Sequence, residues 1–477
     1  MIGSQNGSMK SGRDGGPVDR ADVVIVGFGI AGMTAAREAH RMATQASIAI
    51  VSAQNHPTIY YPALKQFLMG RLGREQLVAI PPDMERIQQI AVLRATVEQV
   101  ATREKRVQLI GGRSISYDSL LLATGRRSRE LPGTLPGSDF DGVTTAYSLT
   151  DYFDLRRRLA EASDVVVVGG GIHGLETVMA VLHHRLRITW LMRSPTCLPD
   201  YLDGTASALV LDRVRQAGVK ILTETEVAEI LGRVGAVSGV VTSRDQVIAA
   251  QLVIVCTGTL PNIALAEQSD RPLRVETDEG FLVDDWLRTS EASIYAAGSV
   301  AALPDRLLGR AAVRSQWADA EQQGAVAAAR LVGREGTSRP PLGASWVTTS
   351  IGKLSLVAIG DTLGRMPGAS TWTDSRSKGI YRRVTLAKER VVGYLSLGPT
   401  TPDPLAIKYV IDEGLALSAI SAILQGADGG GRRATASRVE RAASPPASSA
   451  ISSGPLSGAA DVVLPGGLGN FAREGES

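Results

Sequence analysis

Short apolar runs alternate with amphipathic stretches through most of the chain. "ADVVIVGFGIAGMTAAREAHRM" opens with Val23-Val24-Ile25-Val26, passes three glycines and continues with apolar positions at helical spacing. This predicts a buried strand, a tight turn and a helix. "ASIAIVSAQ" predicts a second short strand, and "VEQVATREKRVQLIGGRSISYDSLLLATG" a meander of short strands ending in a buried one. The strand–turn–helix pattern returns in "SDVVVVGGGIHGLETVMAVLHHR" and is followed by a strand in "RITWLM". "QLVIVCTGTLPN" predicts another buried strand and turn, and "SQWADAEQQGAVAAARLVG" a helix.

Residues 341–425 read as a separate piece, with "YRRVTLAKERVVGYLSLG" alternating like a hairpin around a polar turn. "PLAIKYVIDEGLALSAISAILQ" (404–425) is an amphipathic helical pattern broken near Gly414. Its plainer reading is an apolar face closing this last piece; peripheral membrane contact is the weaker one. Residues 1–20 and 426–477 are rich in small and polar residues and are expected to be a disordered leader and tail.

Composition changes the picture mainly by exclusion. The 477 residues suggest about three domains, and 44% hydrophobic content supports ordinary cores. A net charge of +3, with scattered basic residues, gives no nucleic-acid surface. The two cysteines, Cys197 and Cys256, form no CxxC centre, so a thiol relay and a Cys-rich metal or cluster site are disfavoured. His183 and His184 lack partners at ligand spacing, so no metal site is expected. No signal-peptide core and no long apolar run is present, which makes a cytoplasmic location the expectation.

The two glycine turns carry the chemistry. Gly27-Phe28-Gly29-Ile30-Ala31-Gly32 and Gly169-Gly170-Gly171-Ile172-His173-Gly174 each sit between a strand and a helix. In such a turn the first glycine allows the bend, the second lets backbone approach a pyrophosphate, and the third lets the helix pack on the strand. The helix start supplies free N–H groups to the anion. One such pattern alone is weak; two in the same local context point to a protein that binds two dinucleotides.

The order of GxGxxG, "SLLLATG", GGGxxGxE, "VCTGTLPN", "SIYAAGS" and "WADAEQQGAVAAARLVG" resembles the pyridine nucleotide-disulfide oxidoreductase-like flavoproteins over residues 21–400. The similar branches are those without a redox disulfide: ferredoxin and rubredoxin reductases, apoptosis-inducing-factor-like proteins and the flavin module of nitrite reductases. The resemblance implies an α/β chain of two Rossmann-like, three-layer domains plus a C-terminal α+β interface domain. Residues 21–140 with 258–340 would bind FAD, 141–257 would bind NAD(P)H, and 341–425 would form the interface domain, which in relatives often supports a homodimer. It implies FAD contacts from Gly27, Gly29, Ile30, Ala31, Gly32, Pro62, Thr124, Gly125 and Gly298. It implies nicotinamide-nucleotide contacts from Gly169, Gly171, Gly174 and Gly258. It also implies a Lys–Glu pair beside the flavin, here Lys65 with Glu176, although Lys65 falls about one residue early against the pattern.

Several positions depart from that pattern. The Asp expected after Gly298 is Ser299, which is expected to accept one flavin bond and to cap a following helix. The acid expected after the second strand is missing, leaving Gln54 or Ser52 as a neutral acceptor. The flavin-side Arg is Tyr61. Replacing two carboxylates by neutral acceptors costs on the order of 1–5 kcal/mol, roughly ten- to several-thousand-fold in affinity. After the strand "RITWLM" comes Arg193, which suits a 2′-phosphate and favours NADPH; the alternative is a solvent-loop arginine.

The expected function is an FAD-dependent NAD(P)H oxidoreductase passing electrons to a small redox protein, a quinone or oxygen. The second expectation is a non-catalytic member serving in a larger complex, motivated by the missing acids.

Overall fold

The computed structural model describes residues 18–79, 90–276, 278–305, 309–334, 343–374, 380–399 and 401–427. The expected tail lies outside them beyond residue 427, as does the leader up to residue 17; a strand already begins at Arg20.

The first sheet is built on Arg20–Val26, which lies between Ile48–Ser52 and Ser114–Leu122, parallel to both. Ile90–Arg94 extends one side, and Ile294–Ala296 adds in parallel to Ser114–Leu122. Each of the residues 48–52 is buried, as fits a continuous apolar run in a sheet covered on both faces. Val97–Ala101 and Arg106–Leu109 form the expected antiparallel meander. The helices Ile30–Met42 and Trp317–Leu331 pack on each other so closely that a Cβ on Gly324 would overlap the Ala31 carbonyl.

The second sheet repeats the plan. Its parallel order is Lys220–Leu222, Arg187–Leu191, Asp164–Val168, Leu252–Val255, Val143–Thr145. A three-stranded antiparallel meander, Val227–Arg233 with Ala236–Thr242 and Val247–Ala249, precedes the returning strand. The chain leaves and re-enters the first unit through a two-stranded link, Arg126–Ser128 paired with Thr259–Pro261.

The C-terminal sheet has five antiparallel strands in the order Trp346–Ile351, Leu354–Gly360, Arg390–Gly398, Tyr381–Ala387, Ser370–Asp374. The hairpin turn carries Lys388 and Glu389 at φ +48° and +62°, the mirror-image turn that matches strand twist. One face of this sheet contributes Val347, Ile351, Leu356, Tyr381, Leu395 and Leu397 to a core shared with the second dinucleotide-type unit. The other face is covered by Pro404–Asp412 and Leu417–Ala427, with Gly414 at φ +59° between the two helices. Among the described residues no helix is long and apolar enough to cross a membrane.

One local expectation fails. Ser299 caps no helix: residues 298–300 form a turn that leads straight into the strand Ala301–Asp305. That strand pairs with Gly280–Leu282 and Arg310–Val313, so its backbone groups are satisfied across a sheet rather than along a helix.

Candidate active site

The two glycine turns match feature for feature. Gly27 has φ +113°, and a Cβ there would overlap the Ala123 carbonyl; Gly169 has φ +121° and would overlap that of Cys256. A Cβ on Gly32 would strike the Gly27 carbonyl, and one on Gly174 the Gly169 carbonyl. The middle glycines differ: Gly29 and Gly171 are exposed, and a Cβ on either would meet nothing within 4 Å. Two glycines per turn thus serve packing, and one keeps the approach to the backbone clear. Neither Ile30–Met42 nor Ile172–Val181 has a side-chain cap, so the first-turn N–H groups, including those of Ile30 and Ala31, remain available to an anion.

Around the first turn, Gly27 N–H donates to Val51 O at 2.8 Å and Ala123 N–H to Val26 O at 2.8 Å. These ladder bonds bring Thr124, Gly125 and the residues after Ser52 to the same end of the sheet. Thr124 is locked by Asn262, whose Nδ2 donates to Thr124 O at 2.9 Å while Thr124 Oγ1 donates to Asn262 O at 2.8 Å. Gly298 N–H donates to the fully buried Gln323 Oε1 at 2.7 Å. Ser299 faces Gly125: a Cβ on that glycine would lie 3.8 Å from Ser299 Oγ. Arg126 ties the patch together, donating to Glu279 O at 2.8 Å, to Thr259 Oγ1 at 2.8 Å and to Ser299 O at 3.3 Å.

The loop after the second strand, residues 53–58, carries no acidic side chain. Gln54 is exposed, its N–H donates to Ser52 Oγ at 3.2 Å, and its side chain hydrogen-bonds Tyr61. Burial pushes the Tyr61 hydroxyl pKa up, and the Gln54 bond opposes that shift. Pro62 is exposed within the short turn Tyr61–Ala63 that launches the helix Leu64–Leu68. Tyr60 meets Trp317 edge-on, with ring centroids 5.0 Å apart.

Lys65 and Glu176 meet. Lys65 Nζ donates to Glu176 Oε1 at 2.9 Å, with the side chains 30% and 27% exposed. Thr349 Oγ1, from the C-terminal sheet, donates to the same carboxylate oxygen at 2.8 Å. One acid therefore touches all three parts of the chain. Beyond it, Tyr147 stands between Tyr61 (6.3 Å) and His173 (5.9 Å).

On the second unit, Gly258 is exposed with φ +109° and open space before it. Gly169 N–H donates to Leu191 O at 2.8 Å, which sets the end of that strand beside the turn. Arg193, two residues further on, has an 87% exposed side chain and lies 3.8 Å from Glu226 Oε1. Both cysteines are buried, and burial pushes each thiol up to about 11. Neither is a thiolate at neutral pH. No group of three ligand-type side chains sits together for a metal among the described residues.

Arg126, Asn262, Gln323, Tyr147, Glu226 and Thr349 were not singled out by sequence. Arg126 follows the ATG segment directly, which is a signal of position; the others carry none, because their partners lie far away in the chain.

Residues 21–324 match the family described as pyridine nucleotide-disulphide oxidoreductases. The chain belongs to that family. It is an NAD(P)H-dependent flavoprotein oxidoreductase of the ferredoxin-reductase type, with FAD and NAD(P)H as its cofactors. Rubredoxin-NAD(+) reductase of Pseudomonas putida is 32% identical over 281 residues, 58% of this chain and 71% of the relative. Putidaredoxin reductase CamA of the same species is 31% identical over 295 residues, 61% of this chain and 69% of the relative. The solved covalent putidaredoxin reductase–putidaredoxin complex superposes with a TM-score of 0.76 at 25% identity, covering 86% of this chain and 99% of that one. The first turn fits a dinucleotide's diphosphate: the approach at Gly29 is open, the helix start is uncapped and no side chain fills the cradle.

Proposed function

We propose that this family member holds FAD along Gly27–Gly32 and NAD(P)H along Gly169–Gly174, and passes electrons on to a small redox protein. The observation that carries the reading is the Lys65–Glu176 contact at 2.9 Å, which joins the helix Leu64–Leu68 of the first part of the chain to the helix that starts at the second turn. A nucleotide on each turn would then direct its reactive end toward the same junction. FAD, when bound, supplies the conversion of hydride transfer into single-electron transfer. The protein's share is placement. Backbone amides at Ile30, Ala31 and Gly32 would hold one diphosphate; Thr124, Gly125, Gly298 and Ser299 would line its flavin side, with Gln54, Tyr61 and Pro62 along the cofactor. Lys65, positioned by Glu176, would bring a cation toward the ring.

Arg193 supports a preference for NADPH. Its guanidinium is exposed, and the contact with Glu226 is too long and too solvated to occupy it. Both relatives named above are reductases of small redox proteins by name, and one solved neighbour is held covalently to such a partner. They support the same class of acceptor here. The decisive test is anaerobic titration of the FAD-reconstituted protein with NADPH and then NADH, followed by addition of a rubredoxin or ferredoxin. Saturable FAD binding, bleaching of the flavin band and reduction of the carrier are expected. Absence of saturable FAD binding, or of bleaching by either nucleotide, would refute the reading.

A further inference from the structure

A narrow slot lies between the second glycine turn and the two-stranded link, lined by Tyr147, His173, Ser128, Gly258 and Thr259. It holds only about 10 Å³, room for a single water. Its two large walls are the Tyr147 and His173 rings, set edge to face at 70°. His173 opens to the cleft, at the second position of the helix Ile172–Val181. Among the described residues, neither ring nitrogen of His173 nor the hydroxyl of Tyr147 has a hydrogen-bond partner. The polar tips of both rings are thus left to water or to a ligand in the cleft.

The surroundings fix what these polar tips face. Glu176, one turn further along the same helix, reaches Lys65. Tyr61 closes the other side of Tyr147. The slot therefore sits beside the second turn, on the side facing Tyr61 and the Lys65–Glu176 pair, within reach of a nucleotide held at Gly169–Gly174. Although His173 opens to the cleft, desolvation by the surrounding protein holds its pKa below the ordinary value, against the pull of Glu176. The neutral ring offers one donor and one acceptor nitrogen.

We propose that Tyr147 and His173 are the specificity pair for the nicotinamide carboxamide. The tyrosine hydroxyl would donate to the amide oxygen, and the imidazole would accept from the amide N–H₂. This inference rests on the assignment of the nucleotide to the second glycine turn. The Tyr147 backbone is anchored: its N–H donates to Asp151 Oδ2 at 3.1 Å, within the capping box that starts Leu149–Leu159.

The test is calorimetric binding to the FAD-loaded protein of NADP⁺ and NAD⁺, their 3-acetylpyridine analogues, which lack the amide N–H₂, and ADP-ribose. The wild-type protein is expected to prefer the carboxamide about fivefold, the worth of one neutral hydrogen bond. His173→Ile should bring that ratio close to one, His173→Asn should keep most of it, and ADP-ribose should bind all three alike. Tyr147→Phe should weaken the carboxamide and acetyl dinucleotides equally against ADP-ribose. An unchanged ratio in His173→Ile, with ADP-ribose still bound, overturns the pair alone. A wild-type protein that binds no ADP-ribose overturns both the pair and the nucleotide assignment beneath it.

Discussion

Asp319 occupies the first turn of the helix Trp317–Leu331, two residues after the tryptophan that meets Tyr60. It is 3% exposed, and its Oδ2 has no hydrogen-bond partner. Burial pushes its pKa from 3.8 up to about 6; Arg314 and Lys408 pull it down, and Asp412 raises it further. A shift of about two units corresponds to about 3 kcal/mol between the two protonation states. Because the folded-state value is raised, the protonated form is the one the fold prefers. The stability it confers is complete below the unfolded value near 3.8 and is lost as pH rises through about 6. Asp319→Asn removes the penalty while keeping the shape. The variant should therefore gain nothing at pH 4 and up to about 3 kcal/mol at pH 8, or roughly 2–4 °C in the unfolding midpoint. The assay is thermal unfolding of both proteins, saturated with FAD, from pH 4.5 to 8.5. A gain that is the same at every pH, or a loss at pH 8, would show that Asp319 is held ionised by a partner, and the reasoning would fail.

Ser299→Asp restores an anion beside Arg126, which already donates to the Ser299 carbonyl at 3.3 Å. FAD should bind about 5–30-fold more tightly, worth about 1–2 kcal/mol; an unchanged or weaker dissociation constant in a fluorescence titration of the apoprotein counts against it. Gly29→Ala and Gly27→Ala should separate binding from folding. The first meets open space and should melt normally while losing roughly tenfold or more in FAD affinity; the second, at φ +113° and against the Ala123 carbonyl, should lose several kcal/mol of stability. Equal melting points for the two variants would contradict this division. Glu176→Gln should slow flavin bleaching by NADPH by roughly tenfold with at most about 1 kcal/mol lost, since both side chains of its pair are partly exposed; stopped-flow absorbance decides it, and an unchanged rate assigns the pair to structure alone. Arg383→Ala removes the cationic partner of Asp203 at 2.5 Å, leaving it the Tyr381 hydroxyl and the Ala206 N–H, in a site where the two side chains are 15% and 21% exposed. A loss of roughly 3 kcal/mol is expected, and wild-type hydrogen exchange in the C-terminal sheet would argue otherwise.

What the sequence disclosed and what it hid follow a physical division. Both glycine turns, the meander, the hairpin at Lys388-Glu389 and the break at Gly414 rest on local backbone requirements, and local chemistry writes itself into neighbouring residues. The Lys65–Glu176 pairing came through resemblance rather than through spacing. Thr349 on Glu176, Gln323 on Gly298 and Asn262 on Thr124 are contacts between distant segments, and no period or turn signal encodes them. The error at Ser299 has the same origin. A serine after a glycine reads as a helix cap, yet the partner strands at Gly280–Leu282 and Arg310–Val313, remote in sequence, turn the following residues into sheet.

The apolar layer under the C-terminal sheet limits how this polypeptide can be cut. Val347, Ile351, Leu356, Tyr381, Leu395 and Leu397 are in one cluster with Leu175, Val178, Trp190 and Leu211. Stopping translation near residue 340 would strip the cover from those second-unit side chains and leave a greasy patch facing water, a recipe for precipitation. For the same reason the terminal piece is no free-standing module: transplanted into another reductase, it would have to bring residues 141–257 with it.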